Sequence, residues 1–204
     1  MNWNGCLYLI ADFSYGEERI LRALQCGVDV IQLREKNISS REYWERAVRM
    51  RQLTRQYPTT FIVNDRLDIA LLSEADGVHL GQSDVPAGEA RKILGPDKII
   101  GATARTAKQA VKAAEEGVDY LGSGAWFATD TKKDAILIQE EEYRRILTES
   151  GLPNVAIGGI TPDNCRRPLD CGAPGIAVSA GILKGDIEEN IAEFRRQLSR
   201  RVGI

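Results

Sequence analysis

The chain has 204 residues, 43% hydrophobic and 27% charged, which suits one well-buried core and is short for two full domains. Its 27 basic and 29 acidic residues nearly cancel, which argues against a nucleic-acid or anionic-membrane surface and requires any anion site to be local. No apolar run approaches the roughly 20 residues that span a bilayer, and MNWNGCLYLIAD at the start lacks a signal-peptide pattern.

Cys6, Cys26, Cys165 and Cys171 have neither CxxC spacing nor nearby histidines, His79 being the single histidine. A zinc site is therefore not expected, and the thiols are read as reduced in a cytoplasmic protein. In chain order, the first strand is predicted over CLYLIAD (6–12). EERILRALQCG (17–27) then sets Ile20, Leu21 and Leu24 on one helical face and stops at Gly27. Further strands follow at VDVIQLR (28–34), TFIVND (60–65), DGVHLG (76–81) and KIIGAT (98–103). AKQAVKAAEEGVD (107–119) repeats the helical pattern, and DYLGSGA (119–125), NVAIGG (154–159) and GIAVSA (175–180) complete the strands. Strand–helix alternation implies parallel strands with crossover helices. Eight such units, with no linker or composition break, predict an α/β protein: a (β/α)8 TIM barrel forming a single domain over residues 1–204.

In such a barrel, side chains at the C-terminal ends of strands face one shared mouth. IVNDR (62–66) and VHLGQSD (78–84) both run from apolar strand into acid, offering Asn64, Asp65 and Asp84. QLREK (32–36) places Gln32, Arg34 and Lys36 on one face, with Glu35 on the other. A guanidinium and an ammonium there suit phosphate oxygens, and two neighbouring carboxylates suit Mg²⁺. The competing reading makes Asp65 and Asp84 helix N-caps and the cations a solvated turn.

IGGIT (157–161) and GIAVSAGI (175–182) place glycines at two further strand ends, where backbone N–H groups can approach a phosphate. FATDTKKDA (127–135) is read as a polar loop at the mouth, either a lid or a surface excursion. His79, between Val78 and Leu80, is read as a packed, hydrogen-bonded core residue. Trp126 is the tryptophan expected near a ligand.

Together, LYLIAD, GVDVIQLREK, VNDRLDIAL, ADGVHLGQSD, IIGAT, DYLGSGAWFATDTKKDA and VAIGGITPDN resemble the thiamin phosphate synthase family over nearly the whole chain. The resemblance implies condensation of hydroxymethylpyrimidine diphosphate with a (carboxy)thiazole phosphate. It places the pyrimidine diphosphate on Gln32, Arg34, Lys36, Asn64 and Lys132, and counts Glu35 and Thr103 among the substrate-binding residues. It implies Mg²⁺ on Asp65 and Asp84, and the thiazole phosphate near Thr129, Thr131, Gly159, Ser179 and Ala180. Arg34, Lys36 and Lys132 would stabilise the departing diphosphate.

The chain departs from the family pattern at Thr103 and Ala180, where serine is usual, and at Ala125, Ala128 and Asp130, where proline is usual. The alternatives are a thiazole tautomerase-like paralogue and a non-catalytic phospholigand-binding barrel. Small-molecule substrates are the expected partners, without nucleic acid or membrane; a homo-oligomer is left open.

Overall fold

A computed structural model describes residues 1–128 and 136–199. The strands are β1 (Cys6–Ala11), β2 (Val30–Leu33), β3 (Thr60–Asn64), β4 (Gly77–Leu80), β5 (Ile99–Thr103), β6 (Tyr120–Ser123), β7 (Asn154–Ile157) and β8 (Gly175–Val178). A short 3₁₀ turn, Phe13–Tyr15, precedes α1 (Glu17–Gln25). The helices continue with α2 (Ser40–Thr54), α3 (Leu67–Leu72), α4 (Ala87–Leu94), α5 (Ala107–Glu115) and α6 (Glu140–Ser150). After β7 come α7 (Arg166–Asp170), α8 (Ala180–Leu183) and α9 (Ile187–Ser199).

All eight strands run parallel and close in sequence order, β1 pairing back to β8 through Cys6–Gly175 and Leu9–Val178. The predicted strands are all present, each one or more residues shorter than predicted. Among the described residues no helix is long and apolar enough to cross a membrane.

Strand periodicity builds two apolar layers. Leu7, Leu9, Ile31, Leu33, Phe61 and Val63 face the helices, while Tyr8, Val30, Ile62 and Tyr120 fill the barrel interior. The helices supply matching faces. In α2, Tyr43, Ala47, Met50 and Leu53 recur at helical spacing and are buried; each large side chain contributes about 1.5–3 kcal/mol. Ser39 starts that helix by accepting a hydrogen bond from Glu42 N–H at 3.1 Å.

The N-terminal end of the barrel is pinned by aspartates that precede strands. Asp29, Asp76 and Asp119 each accept from a backbone N–H of the preceding strand at 2.7 Å, those of Leu7, Phe61 and Ile100. Each also meets a guanidinium: Arg195, Arg51 and Arg91 respectively. Arg51 grips Asp76 with both terminal nitrogens, at 2.9 and 3.1 Å.

Trp126 departs from its expected place. It is 2% exposed and packs edge-on against Tyr143 of α6, ring centroids 4.8 Å apart. Trp126 N–H donates to Ile157 O at 3.1 Å, which turns the indole into the sheet–helix layer rather than toward a ligand.

Candidate active site

The β2 end contributes Gln32, which is buried and points inward, its Nε2 donating to Tyr8 Oη at 2.8 Å. Arg34 follows, half-buried, its backbone N–H held by Ala11 O at 2.9 Å; Lys36 is exposed. Glu35 points the other way. Its oxygens accept from Phe13 N–H at 2.9 Å and Arg46 Nη1 at 2.7 Å, so it ties the turn after β1 to the turn carrying Arg34. Arg34 thereby stands on a braced loop.

At the β3 end Asn64 is buried, and its carbonyl accepts from Tyr43 Oη at 2.9 Å. Asp65 has φ of 64°, a left-handed conformation that aspartate tolerates better than most side chains. Its N–H donates to His79 O at 2.8 Å, which stitches the β3 and β4 ends together. Asp84 folds back after β4, its Oδ2 accepting from Gly81 N–H at 2.6 Å. A Cβ on Gly81 would stand 2.9 Å from that oxygen, so the loop needs glycine there.

Neither acid caps a helix. The residue preceding α3 is Arg66 and that preceding α4 is Pro86, and neither helix has a side-chain cap. Arg66 instead pairs with Asp68 at 2.6 Å and reaches Ser40 Oγ at 3.0 Å. The cap alternative is removed for both aspartates.

The two carboxyl groups meet each other. Burial first, then the hydrogen bond and charge of Asp84, raise Asp65 to about 6, against opposing contributions from Arg34 and Asn64. The residue as a whole is exposed at the mouth. Two oxygen ligands in unrelieved repulsion are the donor set that a hard dication would satisfy. Among the described residues no group of three or more His, Cys, Asp or Glu could hold a metal. Such a cation would therefore draw its remaining ligands from water and ligand phosphate.

Thr103 ends β5, its hydroxyl 3.0 Å from His79 Nε2. His79 is buried, as its apolar flanks predict, and burial lowers it to about 4, with Arg34 pushing down and Asp84 pushing up. It is neutral at physiological pH. Tyr8 and Tyr120, which the sequence reading did not single out, complete its surroundings; their signal is a phenol at an interior strand position.

On the opposite side, Gly159 follows β7 with φ of 65°. A Cβ there would lie 2.8 Å from Ala128 O and from Phe127 Cβ, so this glycine admits the backbone leaving β6. Ser179 and Ala180 stand where β8 passes into α8. Thr129, Thr131, Lys132 and most of the lid stretch lie outside the described residues. A surface cleft of about 480 Å³ lined by Glu140, Arg144 and Arg167 lies between α6 and α7 and includes none of the strand-end residues above.

A closed eight-stranded parallel barrel with Asp65 and Asp84 brought together at its C-terminal mouth has the form of a (β/α)8-barrel enzyme. The family model described as thiamine monophosphate synthase matches residues 7–182, and the chain belongs to that family. It is 44% identical to a thiamine-phosphate synthase of Caldanaerobacter subterraneus subsp. tengcongensis, over 95% of this chain and 94% of that one. It is 43% identical to a thiamine-phosphate synthase of Methanobrevibacter smithii, with 87% of each covered. Its fold matches a solved thiamine phosphate pyrophosphorylase from Pyrococcus furiosus at a TM-score of 0.89 and 40% identity, covering 98% and 99% of the two chains.

Proposed function

We propose that this chain is a transferase that joins hydroxymethylpyrimidine diphosphate to a (carboxy)thiazole phosphate, forming thiamin monophosphate and releasing diphosphate, with carbon dioxide as well when the thiazole is carboxylated. The observation that carries the reading is the facing pair Asp65 and Asp84 beside Arg34, in a chain similar throughout to thiamine-phosphate synthases. Small-molecule substrates in the cytoplasm follow from this assignment, and nothing in it requires nucleic acid or membrane.

In this reading Gln32, Arg34, Lys36, Asn64 and Thr103 receive the pyrimidine diphosphate, with Lys132 joining them. Glu35 acts by bracing the Arg34 turn. Thr129, Thr131, Gly159, Ser179 and Ala180 receive the thiazole phosphate. Asp65 and Asp84 are the residues that would hold Mg²⁺, which when bound supplies Lewis-acid neutralisation of diphosphate charge.

The reaction breaks the bond between the pyrimidine methylene carbon and the diphosphate oxygen, and diphosphate departs with the electron pair. The thiazole nitrogen then donates its lone pair to that carbon. No protein nucleophile is required. Arg34, Lys36 and Lys132 contribute by placing positive charge where the leaving oxygen becomes negative, a positioning and electrostatic role. Mixing purified protein, Mg²⁺ and both substrates should yield thiamin phosphate and diphosphate. Tight binding of both ligands without product would instead identify a phospholigand-binding barrel.

A further inference from the structure

Gln32 on β2 and Thr103 on β5 are joined through the barrel interior by an unbroken chain of hydrogen bonds. Gln32 Nε2 donates to Tyr8 Oη at 2.8 Å, and the Tyr8 and Tyr120 hydroxyls are 2.8 Å apart. Tyr120 Oη lies 3.0 Å from His79 Nδ1, and His79 Nε2 lies 3.0 Å from Thr103 Oγ1. Tyr8, Gln32, His79 and Tyr120 are all buried. Two strand glycines make room for the chain. A Cβ on Gly101 would meet the Tyr120 ring at 2.1 Å, and one on Gly122 would approach His79 Cε1 at 3.2 Å.

Each phenol has one proton to donate, and a neutral imidazole has one N–H. The direction of any link therefore sets the direction of all the others. If Gln32 donates inward, Tyr8 donates to Tyr120, Tyr120 donates to His79 Nδ1, and His79 Nε2–H donates to Thr103. Gln32 then offers its carbonyl oxygen to the mouth, and the Thr103 hydroxyl proton is free to be given to a ligand. In the reversed chain Gln32 offers N–H and Thr103 offers a lone pair.

We propose that His79, Tyr120 and Tyr8 form a polarity relay, positioning residues that make Gln32 an acceptor and Thr103 a donor toward the substrate. The ligand it selects presents a donor to the β2 side and an acceptor to the β5 side. An aminopyrimidine offers both, an exocyclic amine beside ring nitrogens, so the relay would orient the heterocycle. This inference rests on the substrate assignment above. His79 is buried with one hydroxyl at hydrogen-bonding distance from each ring nitrogen, the arrangement in which a neutral imidazole donates on one side and accepts on the other, as a one-way chain requires.

Because the chain contains a single histidine, ¹⁵N-histidine labelling gives one unambiguous signal. Nitrogen NMR should show Nε2 protonated and Nδ1 bare, with and without the pyrimidine diphosphate. Tyr120→Phe keeps the ring and removes the central hydroxyl. It should mix the tautomers and weaken pyrimidine diphosphate binding by about 5–10-fold, the worth of one hydrogen bond, leaving thiazole phosphate affinity unchanged.

Should Tyr120→Phe fail to fold, the rim residue serves instead. Thr103→Ser should retain the tautomer and the affinity, and Thr103→Val should lose both. A majority of Nδ1–H in wild-type protein overturns the relay, as does a folded Tyr120→Phe or Thr103→Val that affects both ligands equally or neither. A protein that fails to bind the pyrimidine diphosphate at all overturns the substrate assignment, while the free-protein tautomer still judges the relay.

Discussion

Aspartates stand at both ends of this barrel, and their surroundings are opposite. Asp29, Asp76 and Asp119, at strand beginnings, each hold a backbone N–H and a guanidinium. Asp65 and Asp84, past strand ends, form no ion pair among the described residues and are turned toward each other, raising Asp65. The first set is satisfied within the chain and serves the fold. The second leaves charge unmatched, which stability alone would not favour, and so points to a ligand. Position relative to the strand, not residue type, separates the two roles.

The largest expected effect separates them by turnover. Asp84→Asn should lower kcat at saturating Mg²⁺ by about 100-fold or more, the scale of losing a metal's charge stabilisation, while the thermal melt is held or rises. A mutant that melts early and retains kcat would place Asp84 with the structural set.

The converse change is Asp76→Ala, which strands Phe61 N–H and the Arg51 guanidinium. Its expected cost is about 1–3 kcal/mol, read as a melting temperature lower by several degrees, with kcat per folded molecule retained. Loss of turnover in the folded fraction would erase the distinction between the two ends.

Arginines sharpen the contrast further. Arg34→Ala should weaken the pyrimidine diphosphate by roughly 10-fold relative to the thiazole phosphate, measured by titration calorimetry, because a charge-assisted phosphate contact is lost on one ligand only. Equal losses for both ligands would contradict the map of the mouth.

The smallest effect is a pH signature. Asp65 titrates near 6 in the folded protein against an ordinary 3.8, so its proton favours the folded state. That contribution is fully present below about pH 4 and is lost as pH rises through 6. Asp65→Asn carries no charge and should therefore be more stable than wild type above pH 6, by at most about 1 kcal/mol once solvent screening at the open mouth is allowed for. The two proteins should converge in stability below pH 4. Melting curves across this range, without divalent cations, provide the check, and identical curves would mean that the carboxylates do not repel.

The two sides of the mouth also differ in how far sequence reaches. On the β2–β4 side the chemistry is carried by side chains that follow apolar strands, so Arg34, Asn64, Asp65 and Asp84 could be named from their place in the chain. Past β7 and β8 it is carried by backbone, and Gly159 has a local task that no motif displays: it admits Phe127 and Ala128. Trp126 shows the same limit. Its place was read from the adjacent loop, but a hydrogen bond from its own backbone to β7 turned the indole into the core.

By itself the sequence determined the alternation of eight strands with helices, because β-branched runs and 3.6-residue apolar spacing are local properties of the chain. It also determined which acids follow strands and which precede them. Only the tertiary structure decided that Asp65 and Asp84 meet, that neither caps a helix, and that Glu35 braces a turn. It alone joined Tyr8, Gln32, His79, Thr103 and Tyr120, which come from five different strands. The reason is physical: barrel closure brings interior side chains of distant strands within hydrogen-bonding distance, and that proximity has no period along the chain.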